Sequence, residues 1–123
     1  MTHQDNCLIA RNCGWVLRQE ECGLWSAYRI VHGSTEIKNL RHGVSEEHAQ
    51  AACLPRYFSD LNACHDAESF LTGRELVFYL SEIAALMNED GSIGWRLTTT
   101  VRAPAKIRAA ALAKIFGKRK ANP

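Results

Sequence analysis

Trp15-Val16-Leu17-Arg18-Gln19, Glu20-Glu21-Cys22-Gly23 and Leu24-Trp25-Ser26-Ala27-Tyr28-Arg29-Ile30-Val31-His32 together decide the fold class. The outer two stretches are rich in aromatic and β-branched residues, which fit a pleated, half-buried surface. The glycine-terminated stretch between them reads as a turn, so the three make a β-hairpin. Gly33-Ser34 reads as a second turn, and Thr35 to Leu40 as a third short strand. Upstream, Asn6 to Cys13 reads as a short helix. Asp5 or Asn6 would cap it, and Gly14 would close it in the left-handed region. Downstream, residues 41–53 read as a loop or a short helix. There Val44-Ser45-Glu46-Glu47-His48 resembles a helix start, with Ser45 capping and His48 at the third helical position.

Pro55 is placed to open a helix, because its missing N–H costs nothing there. The spacing predicts that helix over 56–71, with Tyr57, Leu61, Cys64, Glu68 and Leu71 on one face and Phe58 and His65 on its flank. Thr72-Gly73-Arg74-Glu75 has the Thr-x-x-Glu form of a capping box. The helix it starts carries Leu76, Val77, Leu80, Ile83, Ala84 and Met87 at helical spacing and stops at Asn88-Glu89-Asp90-Gly91. These two helices are expected to pair antiparallel. Ile93 to Arg102 alternates as a strand, with Arg96 and Arg102 on its polar face. Pro104 opens a last helix, Ala105 to Phe116, closed by Gly117. The order α-β-β-(β)-α-α-β-α is an α+β fold: a single small domain over 1–117, a largely antiparallel sheet with helices packed on it, and a basic tail over 118–123.

The 123 residues are 46% hydrophobic and 23% charged, which argues against disorder and against a long coiled coil. No apolar run approaches the roughly 20 residues of a membrane span, and the first residues carry no secretory pattern. The cysteines Cys7, Cys13, Cys22, Cys53 and Cys64 form no Cys-x-x-Cys pair, so they read as reduced, mostly buried thiols of a cytosolic protein, with no metal site expected. The net charge of +2 is unevenly spread. Residues 1–90 hold 7 basic and 13 acidic side chains, or −6; residues 91–123 hold 8 basic and none acidic, or +8. That basic end either packs against the acidic body or presents an anion-binding face, with Arg96, Arg102, Arg108, Lys118, Arg119 and Lys120 as its binding residues.

No glycine-rich phosphate loop, nucleophile elbow or His-Glu-x-x-His helix occurs, so the chain reads as a non-enzyme with no cofactor. Glu68 falls on an apolar helix face, where a carboxylate must be paired or rise in pKa. Arg108 falls inside the apolar arc of the last helix formed by Ile107, Ala111, Leu112, Ile115 and Phe116. Glu68, His65 and Arg108 therefore make a buried polar pair with a histidine beside it: a packing device, or part of a ligand pocket. Asp60, His65 and Asp66 on the same helix read as a solvated face. An acid–base enzyme built on His65 and Glu68 would need both in an open cleft. Trp15, Trp25 and Trp95 read as core or sheet-face residues, with Trp25 the one placed to be an exposed binding aromatic.

The run Leu54-Pro55-Arg56-Tyr57-Phe58-Ser59-Asp60-Leu61-Asn62-Ala63-Cys64-His65-Asp66-Ala67-Glu68 resembles small phage and prophage proteins of the phage ABA sandwich type. These commonly show Leu/Ile-Pro-x-Tyr and then Asp-Leu-Asn-Ala-x-His-Glu-Ala-Glu. Cys13-Gly14-Trp15 matches their early Cys-Gly-Trp, and Arg108-Ala109-Ala110-Ala111-Leu112-Ala113-Lys114 with Gly117 echoes their C-terminal helix. The chain departs at Cys64, Asp66, Ala110 and Ala113 and fits poorly over 16–53. The resemblance implies a phage-derived protein of the bacterial cytoplasm and supplies no reaction. The expectation is a non-enzymatic inhibitor of host anti-phage defence, binding an effector protein such as a CRISPR effector. The alternatives are sequestration of an anionic nucleotide signal, or nucleic-acid binding by the basic end. A homodimer and no membrane contact complete the expectation.

Overall fold

The computed structural model describes residues 3–31, 34–89 and 103–121. The fold is α+β, with a three-stranded antiparallel sheet whose strands pair in chain order and five described helices. Its contacts gather into two compact units, one over Ala10–Pro55 and one from the described residues of 1–9 and 56–123. Helix α1, His3–Asn12, contributes residues to both.

In the sheet unit, β1 (Trp15–Gln19) and β2 (Trp25–Val31) pair antiparallel with Trp15 opposite Arg29 and Gln19 opposite Trp25. This is the hairpin expected from their composition. Gly14 and Gly23 carry φ of +89° and +90°, the left-handed geometry that glycine adopts without strain. Gly14 closes α1 as anticipated, but Asp5 and Asn6 lie inside the helix instead of capping it, because it begins further upstream. The Gly14 backbone also lies so close to Ile30 that an added Cβ would fall 2.3 Å from the Ile30 carbonyl oxygen.

Strand β3, Ser34–Gly43, runs past the expected end at Leu40. Its register against β2 slips between Ser26, opposite His42, and Tyr28, opposite Ile37. That irregularity breaks the two-residue alternation, so the strand's second half was not legible by periodicity. Ser26, buried in β2, shares a 2.8 Å hydrogen bond with His42 Nδ1. Helix α2, Glu46–Ala52, is capped by Ser45, whose hydroxyl accepts the His48 N–H at 3.1 Å. It packs on β3 through Ala49, where a Cβ on Gly43 would meet the Ala49 nitrogen at 2.6 Å. Cys53 follows, buried, its thiol donating to the Arg41 carbonyl.

The helical unit holds α3 (Leu61–Glu68), α4 (Gly73–Glu89) and α5 (Ala105–Ala121). The helix expected over 56–71 is shorter. Residues 56–59 form a turn, because the Tyr57 N–H is given to Asn6 Oδ1 at 3.0 Å and Asp60 takes an extended backbone. Asp60 then caps α3, accepting the N–H groups of Asn62 at 3.0 Å and Ala63 at 3.3 Å. It is a helix cap rather than part of a solvated helix face.

Helix α4 opens with the capping box read from the sequence. The Thr72 N–H reaches Glu75 Oε1 at 2.9 Å, and the Glu75 N–H reaches Thr72 Oγ1 at 3.2 Å. Its buried stripe is Tyr79, Ile83 and Ala84, whereas Leu76, Val77 and Phe78 are 41%, 63% and 48% exposed. The buried stripe is therefore displaced, at the N-terminal end of the helix, from the one its spacing predicts.

Helices α3 and α4 each pack on α5, not principally on one another as expected. The contacts Glu75–Arg119, Phe78–Lys118 and Glu82–Lys114 climb α4 while descending α5, so those two helices are antiparallel. Helix α5 continues beyond Gly117, which lacks the left-handed φ of a terminator. The expected tail at Lys118, Arg119 and Lys120 is thus helical. The expected strand 93–102, with Arg96, Arg102 and Trp95, lies outside the described residues.

Candidate functional site

Two polar arrangements stand out in the helical unit. The first is internal. Helix α3 presents Glu68 from its last turn and α5 presents Arg108 from its first, and Arg108 Nη1 donates to Glu68 Oε1 at 2.9 Å. Arg108 Nε also donates to the Ala103 carbonyl at 2.9 Å. Only 5% of Arg108 is exposed, so its charge is balanced inside the unit. His65 Nδ1 lies 3.3 Å from the same Glu68 oxygen, one helical turn away, with its ring half exposed.

Tyr79 of α4 is fully buried beside this pair. Burial pushes its phenol well above the ordinary value, and the Glu68 charge adds to the rise. Cys64 completes the cluster, donating to the Tyr57 carbonyl at 2.9 Å. Burial, reinforced by Glu68, pushes its thiol up to about 12, so it stays protonated at neutral pH. The sequence brought Glu68, His65 and Arg108 together correctly. It did not find Tyr79, whose tyrosine on an apolar stripe gives no signal until its neighbours are known.

The second arrangement is open. A cavity of about 590 Å³ lies between the start of α4 and the end of α5, lined by Thr72, Arg74, Glu75, Phe78, Ile115, Lys118 and Arg119. Its wall is set by Arg119, which grips the Glu75 carboxylate with Nε at 2.6 Å and Nη2 at 2.5 Å. Arg119 Nη2 also donates to the Phe70 carbonyl at 2.7 Å, and its guanidinium lies 4.8 Å from the centre of the Phe116 ring. The Arg119 bonds and the Thr72 cap hold the Glu75 carboxyl at about 2, far below its ordinary value. Lys118 places its ammonium 5.4 Å from the centre of the Phe78 ring.

Two of the six expected anion ligands are therefore committed internally: Arg108 to Glu68 and Arg119 to Glu75. Lys118 faces the cavity, and Lys120 continues α5. Trp15, in β1, is buried and Trp25 is half-buried, so neither is an open binding aromatic. None of the five cysteines is in a disulfide; Cys13, Cys53 and Cys64 are buried and Cys22 is exposed. Among the described residues no cluster of three or more His, Cys, Asp or Glu side chains is gathered to hold a metal ion. None of the described helices is long and apolar enough to cross a membrane.

Comparison with protein-family models, curated proteins and solved structures gave no match.

Proposed function

We propose that the chain is a non-enzymatic, phage- or prophage-derived binding protein that inhibits a host anti-phage defence system by occupying the surface of an effector protein in the bacterial cytoplasm. The phage origin rests on the motif over 54–68 and its companions at both ends of the chain. The observation that carries the binding reading is the exposed run Leu76-Val77-Phe78 on α4 beside the open cavity. Exposed apolar side chains grouped next to a concave, charge-rimmed surface are characteristic of interaction sites.

The alternative, an anionic nucleotide or nucleic acid held by the basic end, is less favoured. Arg108 and Arg119 already spend their guanidinium groups on Glu68 and Glu75. Acid–base work by Glu68 is likewise less favoured, since its carboxylate is held by a buried arginine.

The test is expression in a bacterium whose defence system, a CRISPR system first, is challenged by phage. The reading requires restored plaque formation, lost when Val77 and Phe78 are both replaced by Asp. No restoration across a panel of defence systems overturns the anti-defence role.

A further inference from the structure

We infer that the cavity between α4 and α5 receives a linear acidic segment of a protein partner, with a large apolar side chain seated against Phe78 and Ile115 and flanking carboxylates on Arg74 and Lys118. This deepens the protein-binding reading above and rests on it. The cavity's 590 Å³ falls in the range of clefts that bury a ligand group, roughly 300–1,000 Å³.

Its charge is what selects the occupant. The lining holds three cations, Arg74, Lys118 and Arg119, and one carboxylate, Glu75. Arg119 and Glu75 cancel one another through two short hydrogen bonds, and Glu75 stays ionised across the physiological range. That leaves Arg74 and Lys118, both exposed and, among the described residues, in no ion pair. The rim therefore offers two positive charges to an incoming anion.

The apolar component excludes a bare anion as the best fit. Arg74, Val77 and Phe78 share one helical face at i, i+3 and i+4. Val77 is 63% and Phe78 48% exposed. Phosphate would use the cations and leave this apolar surface in water. A nucleic-acid strand would meet a single aromatic, Phe78, with the Lys118 ammonium over its ring, and the Glu75 carboxylate, where stacking platforms carry several aromatics. A segment mixing carboxylates with a Leu, Phe or Trp side chain uses both halves: burial supplies the affinity, and opposite charge supplies orientation and encounter rate.

The experiment is selection of a displayed random-peptide library on the intact chain, followed by fluorescence anisotropy with the enriched peptides. The expected result is net-acidic peptides carrying a large apolar residue. Phe78→Ala should weaken them about tenfold or more, as loss of a central anchor does. Joint Arg74→Glu and Lys118→Glu replacement should shift selection to basic peptides. All three side chains sit at the surface, and circular dichroism and urea midpoints confirm that the variants fold.

Enrichment of basic or uncharged peptides overturns the inference, as do acidic peptides whose affinity ignores the substitutions. A self-association abolished by Phe78→Ala also overturns it, assigning the face to a second copy. No enriched peptide at all overturns it too. The phage-challenge assay then judges the parent reading separately: inhibition still lost in the Val77→Asp, Phe78→Asp variant means a folded partner surface, and inhibition untouched by that variant removes the surface from the function.

Discussion

Arg119 and Glu75 are joined by two hydrogen bonds, 2.6 Å from Nε and 2.5 Å from Nη2, across the seam of α4 and α5. The same Glu75 carboxylate caps the first turn of α4 through the Thr72 N–H. One side chain thereby fixes both the start of a helix and the docking of another helix against it. Arg119→Ala should lower unfolding free energy by about 1–2 kcal/mol, a charge-assisted value partly screened at this half-buried position. Urea denaturation of the variant against the parent measures it.

The pair also sets an acid limit. The folded-state carboxyl of Glu75 titrates at about 2, below its unfolded value of 4.5. Its contribution is therefore fully present above pH 4.5 and lost as pH falls through the interval from 4.5 to about 2. Urea midpoints recorded through that interval should fall less steeply in Glu75→Gln, which has no proton to take up at this position.

Glu68 and Arg108 predict asymmetric costs. Removing only the carboxylate, in Glu68→Ala, takes the Glu68 counter-charge from a buried guanidinium and should cost about 3–5 kcal/mol. Replacing both partners by apolar residues, Glu68→Leu with Arg108→Met, should cost clearly less than the single change. A double-mutant cycle in denaturant checks the sign of the difference.

The two left-handed glycines separate backbone strain from collision. Gly23 has open space around its Cβ position, so Gly23→Ala should cost about 1 kcal/mol. Gly14 adds a backbone clash with Ile30, so Gly14→Ala should cost about 2 kcal/mol or more. Thermal melts of the two variants, side by side, should rank them in that order.

Thiol reactivity should follow burial. Cys22, exposed in the hairpin turn, should react first with a maleimide at neutral pH. Cys53 and Cys64 are buried with their thiols pushed upward, so they should modify only as the chain unfolds. Peptide mass spectrometry after timed quenching reads the order directly.

Much of the fold was legible because its signals are local. The hairpin needs only β-prone residues around a glycine turn, and Ser45 and the Thr72–Glu75 box need only neighbours within one helical turn. The Glu68–Arg108 pair was legible for a different reason. Each charge interrupts an apolar face, and two misplaced opposite charges seek one another. The second half of β3 was not legible, because a register shift erased its alternation. That Arg108 and Arg119 of α5 are spent internally was not legible for a related reason: composition counts charges and cannot see which are already paired.

The sequence by itself determined the α+β class, the hairpin, the Ser45 and Thr72 caps and the conflict that Glu68 and Arg108 resolve, because each rests on contacts within a few residues or on a face of one helix. Only the tertiary structure decided the rest. Asn6 takes the Tyr57 N–H and ends the expected helix before it begins, so α3 starts at Leu61. Arg119 reaches back 44 positions to Glu75 and builds the cavity wall. Which stripe of α4 is buried was settled by α5, and Val77 and Phe78 were left in the open. Such choices depend on how two helices approach one another, and that approach is fixed by packing across the whole unit rather than by any stretch of chain.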